Sequence, residues 1–229
     1  AYAFAFAPHW RATASAGTAF RVPTLYQRFS MYGDATLRPE TSRNVEVGVK
    51  WLQASNSFSA TLYRNNVSNL INWVAGPGPC PGGSGPYPGC YNNVGQARYE
   101  GLTLAGSYRV GRVQLHGSVD WQNPKDLDTG RRLARRAKQH ASLGADTRWG
   151  DWKLGTQVQA SGQRWDNAAN TVALGGYTLV HLYASTRLAQ DWQLLARLDN
   201  LTDKNYTLAN GYASAGRSFY MGVKWAPAR

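Results

Sequence analysis

The residues able to do chemistry are few. The chain has four histidines, His9, His116, His140 and His181, and two cysteines, Cys80 and Cys90, among 229 residues. Asp120, His116, His140 and Ser142 are the residue types from which an acid–base or nucleophilic set is assembled. Nothing in their spacing forces them together, and no serine stands in a nucleophile elbow. No histidine is surrounded by metal-ligand spacing, so structural or solvated imidazoles are the simpler reading. Neither catalysis, nor a metal site, nor a resident cofactor is expected. The cysteines bracket "CPGGSGPYPGC", a loop with no histidine or further cysteine. A disulfide closing that loop fits, and it implies an oxidising compartment; a free thiol pair is the alternative.

The elements that must position these residues are strands. In "GLTLAGSYRVGRVQLHGSVDW" (Gly101 to Trp121), Leu102, Leu104, Gly106, Tyr108 and Val110 alternate with Thr103, Ala105, Ser107 and Arg109. After a tight turn Val113, Leu115, Gly117, Val119 and Trp121 alternate with Gln114, His116, Ser118 and Asp120. Such a pair has one apolar and one polar face, as in a sandwich or in an outer-membrane barrel. Period-2 segments predict strands near 1–7, 10–20, 43–53, 57–67, 97–109, 113–122, 136–148, 152–163, 176–188, 192–200 and 217–225. Their connections alternate: short at 8–9, 54–56, 110–112, 149–151 and 189–191, long at 21–42, 68–96, 123–135, 164–175 and 201–216. A sandwich has no reason to gather every tight turn at one end, whereas bacterial outer-membrane barrels have short periplasmic turns and long extracellular loops.

Composition agrees. Trp (9) and Tyr (13) outnumber Phe (6), which suits interfaces that are apolar at one end and wet at the other. A mean hydropathy of -0.46 leaves no run of the roughly 18 apolar residues that a spanning helix needs. The formal charge of +12 would raise nucleic acid as a partner, but Lys and Arg are scattered singly. The one cluster, "RRLARRAK" (Arg131 to Lys138), has no recognition helix around it, and nucleic acid is not expected. Cations near strand ends suit anionic headgroups or lipid-borne phosphates instead.

The expected fold is therefore all-β: an antiparallel up-and-down transmembrane β-barrel portion of about eleven strands. Trp10, Trp51, Trp121, Trp149, Trp152, Trp165, Trp192 and Trp225 at strand ends suit two aromatic girdles. Val45, Val47, Val49, Leu102, Leu104, Leu115, Val119, Leu154, Val158, Leu194, Leu198, Phe219, Met221 and Val223 are predicted to face lipid. Glu46, Lys50, Arg109, Gln114, His116, Gln157, Gln159, Arg197 and Lys224 are predicted to face the lumen. Parity from the short first turn puts the C-terminus in the periplasm. Single-chain bacterial barrels close with an even number of strands, and "AYAFAFAPHW" carries no basic leader. An N-terminal part of the sheet is expected to be absent from this chain.

Ordered phrases then carry a resemblance. "GTAFRVPTLYQRF" (Gly17 to Phe29), "LRPETSRNVEVGVKW" (Leu37 to Trp51), "LYRNNVSNLINW" (Leu62 to Trp73), "YNNVGQARYEGLTLAGSY" (Tyr91 to Tyr108), "LDNLTDKNY" (Leu198 to Tyr206) and "GYASAGRSFYMGVKW" (Gly211 to Trp225) resemble landmarks of TonB-dependent outer-membrane receptors. The last phrase is most similar to the vitamin B12 and siderophore receptors of that family. The resemblance implies half of a 22-stranded barrel plugged by an N-terminal domain. It implies a Gram-negative outer membrane with lipid and lipopolysaccharide around the wall, and a metal-chelate cargo such as cobalamin or a ferric siderophore. TonB would act through the plug, which with the first strands lies outside residues 1–229. The ending "KWAPAR" departs from the family's terminal aromatic. A passive pore or a non-transporting surface binding barrel is the alternative.

In such a receptor, loop aromatics and arginines bind the chelate by stacking and charge. The candidates are Tyr26, Arg28, Tyr32, Trp73, Tyr87, Tyr91, Trp165 and Tyr212, which could equally pack loops or belong to a girdle. Pro23 and Pro39, without amide hydrogens, are expected to bound their strands. Asn200, Asp203, Lys204 and Asn205 are expected to shape a turn.

Overall fold

Period-2 alternation is realised across nearly the whole chain in the computed structural model, which describes residues 1–75, 80, 81 and 89–227. The strands are β1 (Tyr2–Ala7), β2 (Trp10–Arg21), β3 (Glu40–Gln53), β4 (Asn56–Ala75), β5 (Gly89–Val110), β6 (Val113–Gln122), β7 (Lys125–Asp126), β8 (Gln139–Trp149), β9 (Trp152–Ser161), β10 (Arg164–Trp165), β11 (Ala173–Leu174), β12 (Tyr177–Ala189), β13 (Trp192–Asp199) and β14 (Ser218–Trp225). One short helix, α1 (Leu25–Phe29), interrupts the first long loop.

Eleven strands form one antiparallel sheet in the order β1-β2-β3-β4-β5-β6-β8-β9-β12-β13-β14, each paired with its neighbour in sequence. The two-residue β7 extends it beside β5, and β10 pairs with β11 as a separate ribbon. β1 and β14 have one partner each, so the described sheet is an open wall.

Register settles the faces. Phe4, Ala12, Val49, Ala60, Leu104, Val119, Ala141 and Ala160 are successive cross-strand partners, a single apolar row over eight strands. The neighbouring row, Arg11, Lys50, Ser59, Ala105, Ser118, Ser142 and Gln159, lies on the other face and is polar. Extending this pairing places all fourteen residues predicted to face lipid on the first face and all nine lumen residues on the second. With both faces uncovered, the buried apolar side chains of the described residues gather at the long-loop end, where Val67, Ala97 and Leu133 pack together with Leu70 and Tyr99.

Strand bounds differ from expectation in the second long connection. Residues 68–96 are not all loop: β4 runs on to Ala75 and β5 starts at Gly89, with Leu70 opposite Val94 and Trp73 opposite Tyr91. Asn69, at φ 57°, faces Gly95, at φ 20°, between the Ser68–Gln96 and Leu70–Val94 pairs, and the register carries through unchanged. Cys80 and Cys90 form a disulfide that clasps this hairpin. The first long loop also holds α1, where Thr24 Oγ1 accepts from the Gln27 amide (3.2 Å) and Gln27 Oε1 accepts from the Thr24 amide (2.9 Å). That reciprocal capping box explains why a helical turn follows Pro23 directly.

Candidate ligand-binding face at the long-loop end

Five candidates converge from two segments. Tyr26 and Arg28 ride on α1 and Tyr32 follows it, while Trp73 and Tyr91 oppose one another in the β4/β5 extension. The Tyr91 amide donates to the Tyr32 carbonyl (2.9 Å), and the Tyr26 and Tyr91 rings meet edge to face at 6.1 Å. The Trp73 ring lies over Gly89, where an added Cβ would come within 2.2 Å of it, so only glycine leaves room for the indole. Arg28 donates from Nε and an NH2 group to the Ala35 carbonyl (3.2 and 2.7 Å), which pins its guanidinium 5.1 Å from the Phe29 ring centroid. Asn93 ties the segments together: its Oδ1 accepts from the Arg38 amide (2.8 Å), and its Nδ2 donates to the carbonyls of Arg38 (2.9 Å) and Asn69 (2.7 Å). Tyr26 and Trp73 stay exposed, so the cluster offers ring surface with one adjoining cation. Sequence reasoning missed Asn93, and no local pattern signals a side chain whose partner lies 55 residues away.

Trp165 and Tyr212 are elsewhere. Trp165, in β10, accepts at its carbonyl from the Arg135 amide, and Tyr212 is exposed in the last long loop. Among the described residues no hydrogen bond, ion pair or ring contact joins either to the Tyr26 cluster. Tyr87 lies outside the described residues.

A second assembly surrounds Trp165. Arg164 is buried, with its guanidinium 5.2 Å from the Tyr177 ring centroid and an NH2 group donating to the Thr207 carbonyl. The Tyr177 and Tyr206 rings pack at a tilt of 41°, with centroids 4.7 Å apart. Asp166 Oδ1 accepts from Arg135 Nε (2.9 Å) and from the Asn210 amide (3.1 Å), which joins three long loops. Burial pushes the Asp166 carboxyl up, but the bonds from Arg135 and Asn210 and the charges of Arg135 and Arg164 outweigh it and hold the group below its ordinary range. A depressed folded value stabilises the joint fully above the unfolded carboxylate value of about 3.9, and that support disappears as pH falls through the lower folded value. The joint is therefore expected to persist at pH 4. Asp166→Asn should raise hydrogen exchange at the Asn210 amide roughly tenfold to a hundredfold, since bonds to a charged group contribute about 1.5–3 kcal/mol. Unchanged exchange in the substituted protein would show that the loops are held by other contacts.

The sheet does bring the catalytic-type residues to one face: Asp120 opposes His140, Ser118 opposes Ser142, and Gly144 opposes His116. Asp120, Ser142 and His116 are engaged in other contacts. Asp120 accepts from Thr103 Oγ1 (2.7 Å) and the Tyr63 hydroxyl (3.2 Å), Ser142 Oγ accepts from Gln157 Nε2 (3.2 Å), and His116 Nδ1 sits 3.2 Å from Asp146 Oδ2. Among the described residues no serine–histidine hydrogen bond is formed. His181, whose Nδ1 is 2.8 Å from Asp199 Oδ1, belongs to a further pair that Arg197 completes from its own Nε (2.6 Å).

In the turn after β13, Asn200 and Asp203 take positive φ, Asn200 Oδ1 accepts from the Lys204 amide (2.8 Å), and Asp203 Oδ1 accepts from the Arg217 amide (2.8 Å). The last loop is thus closed onto the start of β14.

An in-order antiparallel wall with one apolar and one polar face, tight turns at one end and long connections at the other, defines an outer-membrane-type β-barrel. Residues 1–201 match the family described as TonB dependent receptor-like, beta-barrel, and the chain belongs to that family. It is 30% identical to the vitamin B12 transporter BtuB of Photobacterium profundum over 92% of this chain and 34% of that protein. It is also 30% identical to the vitamin B12 transporter of Vibrio cholerae over 97% of this chain and 36% of that protein. The chain thus spans about a third of the length of these relatives. The copper transporter OprC shares the fold, with a TM-score of 0.78 at 22% identity over 98% of this chain and 38% of OprC. A ferric enterobactin receptor mutant from Pseudomonas aeruginosa superposes with a TM-score of 0.74 at 21% identity over 98% of this chain and 39% of its own.

Proposed function

We propose that this chain is the C-terminal part of the barrel of an outer-membrane receptor that binds a metal chelate, cobalamin or a ferric siderophore, outside the cell and takes it up with energy from TonB. The long-loop end then faces the medium and the C-terminus the periplasm. The observation that carries the reading is the cluster of Tyr26, Arg28, Tyr32, Trp73 and Tyr91, which presents ring faces and a cation at that end. A flat, partly aromatic, anionic complex is held by such groups through stacking and charge. The relatives named as vitamin B12 transporters and the ferric enterobactin receptor support the cargo class. TonB would reach the barrel through a plug domain outside this chain.

The full-length protein is tested in a receptor-deleted strain on limiting vitamin B12 and, separately, on limiting iron with single siderophores. Rescue is expected on one of these and only when TonB is present. Trp73→Ala combined with Tyr91→Ala should weaken chelate binding about tenfold or more, the equivalent of about 1.4 kcal/mol. Rescue on neither source, or rescue without TonB as a passive pore would give, overturns the reading.

A further inference from the structure

We propose that the junction of the long loops holds a binding site for a small inorganic oxyanion such as phosphate, gripped by Arg164 and Arg132. The two side chains come from different loops. Arg164 belongs to β10, between β9 and β12, while Arg132 lies between β7 and β8 in the run "RRLARRAK". Arg132 reaches across with Nη1 to the carbonyl of Gln163 (3.3 Å), the residue before Arg164. Asn170 holds the Arg132 backbone in that position, its Oδ1 accepting from the amide (3.0 Å) and its Nδ2 donating to the carbonyl (2.9 Å).

Burial without a counter-charge singles the pair out. Arg164 is 4% exposed and makes no ion pair among the described residues. Its Nη2 donates to the Thr207 carbonyl and its guanidinium lies against the Tyr177 ring, but Nη1 is buried with no hydrogen-bond partner among the described residues. Arg132 Nε is buried and unpartnered in the same way. A carbonyl and a ring face supply only partial negative charge, whereas a buried cation is retained where a full counter-charge meets it.

The neighbouring acids are committed elsewhere. Asp166 gives Oδ1 to Arg135 Nε and to the Asn210 amide. Asp126 Oδ1 accepts from the Asp128 and Thr129 amides, and Asp128 Oδ2 from the Gln96 amide. Arg131, Arg132, Arg136 and Arg164 are thus left in excess at the junction. A water molecule would satisfy one N–H and leave the charge. An oxyanion has enough acceptor oxygens to take Arg164 Nη1 and Arg132 Nε together, and guanidinium groups donate to such oxygens in a fixed, weakly hydrated geometry. Bound there, it fastens the loop carrying Arg132 to the loop carrying Arg164, beside the link that Asp166 makes to Arg135. The site stands apart from the Tyr26 cluster and does not depend on the chelate reading.

The test uses the full-length protein in detergent micelles, with inorganic phosphate as the probe and chloride at equal ionic strength as the reference. Binding is read by phosphorus NMR line broadening. Loop fastening is read by hydrogen exchange at the Arg132 and Arg135 amides, which donate to Asn170 Oδ1 and to the Trp165 carbonyl. Millimolar phosphate is expected to broaden the line and to slow that exchange about tenfold or more, as bonds to a charged group allow. Arg164→Gln should abolish both effects, and Arg132→Gln should weaken phosphate binding about tenfold. Arg136→Gln, which removes an exposed cation of the same run, should leave both unchanged. A folded wild type without broadening, as when a carboxylate from elsewhere in the full-length protein fills the site, overturns the proposal, and so does broadening with unchanged exchange. Equal loss in Arg136→Gln would mean a diffuse attraction to the basic run and overturns it as well. If Arg164→Gln loosens the loops by itself, Arg132→Gln decides, and undiminished binding in that variant overturns the proposal.

Discussion

Leu104→Arg is expected to cost roughly 2–4 kcal/mol of barrel stability, the range for a cation on the lipid face near the bilayer midplane. The position follows from register. Leu104 belongs to the apolar row Ala60, Leu104, Val119, bounded on one side by the row Leu62, Leu102, Trp121 and on the other by the row containing Trp51 and Phe58. Girdle aromatics above and below put Leu104 where a guanidinium must either lose its hydration or drag water into the hydrocarbon. Gln159→Arg tests the face itself, since Gln159 stands on the polar side one strand pairing away from Ser142 and is exposed there. Urea unfolding of the full-length protein in lipid, followed by heat-modifiable mobility, should show a large shift for the first variant and little for the second. Equal losses would mean that the two faces had been assigned the wrong environments.

Strands whose neighbours on both faces are lipid and water are the easiest part of such a chain to read. In β5 and β6 every second side chain answers to a different solvent, so period 2 survives in the residues themselves from Leu102 to Trp121. Beyond the membrane that constraint lapses. Past Asn69, "LINWVA" continues the pairing with β5 in unbroken register, although counting from Leu62 gives no hint of it. Leu133 sits in a loop and is buried only because Val67 and Ala97 approach from two strands. The candidate site divides in the same way. Aromatic identity pointed to Tyr26, Tyr32, Trp73 and Tyr91, which tertiary contacts gather, and equally to Trp165 and Tyr212, which they leave apart. Loop-to-loop bonds such as Asp166 to Asn210 join residues 44 apart, and no local propensity encodes that distance.

Glu40 shows how a family phrase conceals a packing device, and its removal is the second large effect expected. In "LRPE" Leu37 is buried, Pro39 cannot extend the ladder, and Glu40 opens β3 opposite Arg21. The β3/β4 pairing stops at Thr41 and Ser68, so the amides of β4 beyond that point have lost their strand partner on this side. The Glu40 side chain takes the place of the missing strand: Oε1 accepts from the Ile71 amide (2.9 Å), while Oε2 lies 3.5 Å from Arg21. Both Glu40 and Ile71 are under a tenth exposed, so truncation strands a buried N–H with no water to replace the acceptor. Glu40→Ala should destabilise the β4/β5 extension by about 1–3 kcal/mol, visible as faster exchange at Ile71 and easier proteolytic nicking near residue 75, with weaker chelate binding as the Trp73–Tyr91 platform loosens. Glu40→Gln keeps an acceptor of the same reach and should lose little. If the two variants were equally damaging, the ion pair with the half-exposed Arg21 would have to be the dominant contact. A pair so placed ordinarily contributes about 1 kcal/mol at most, which is why the hydrogen bond is expected to decide.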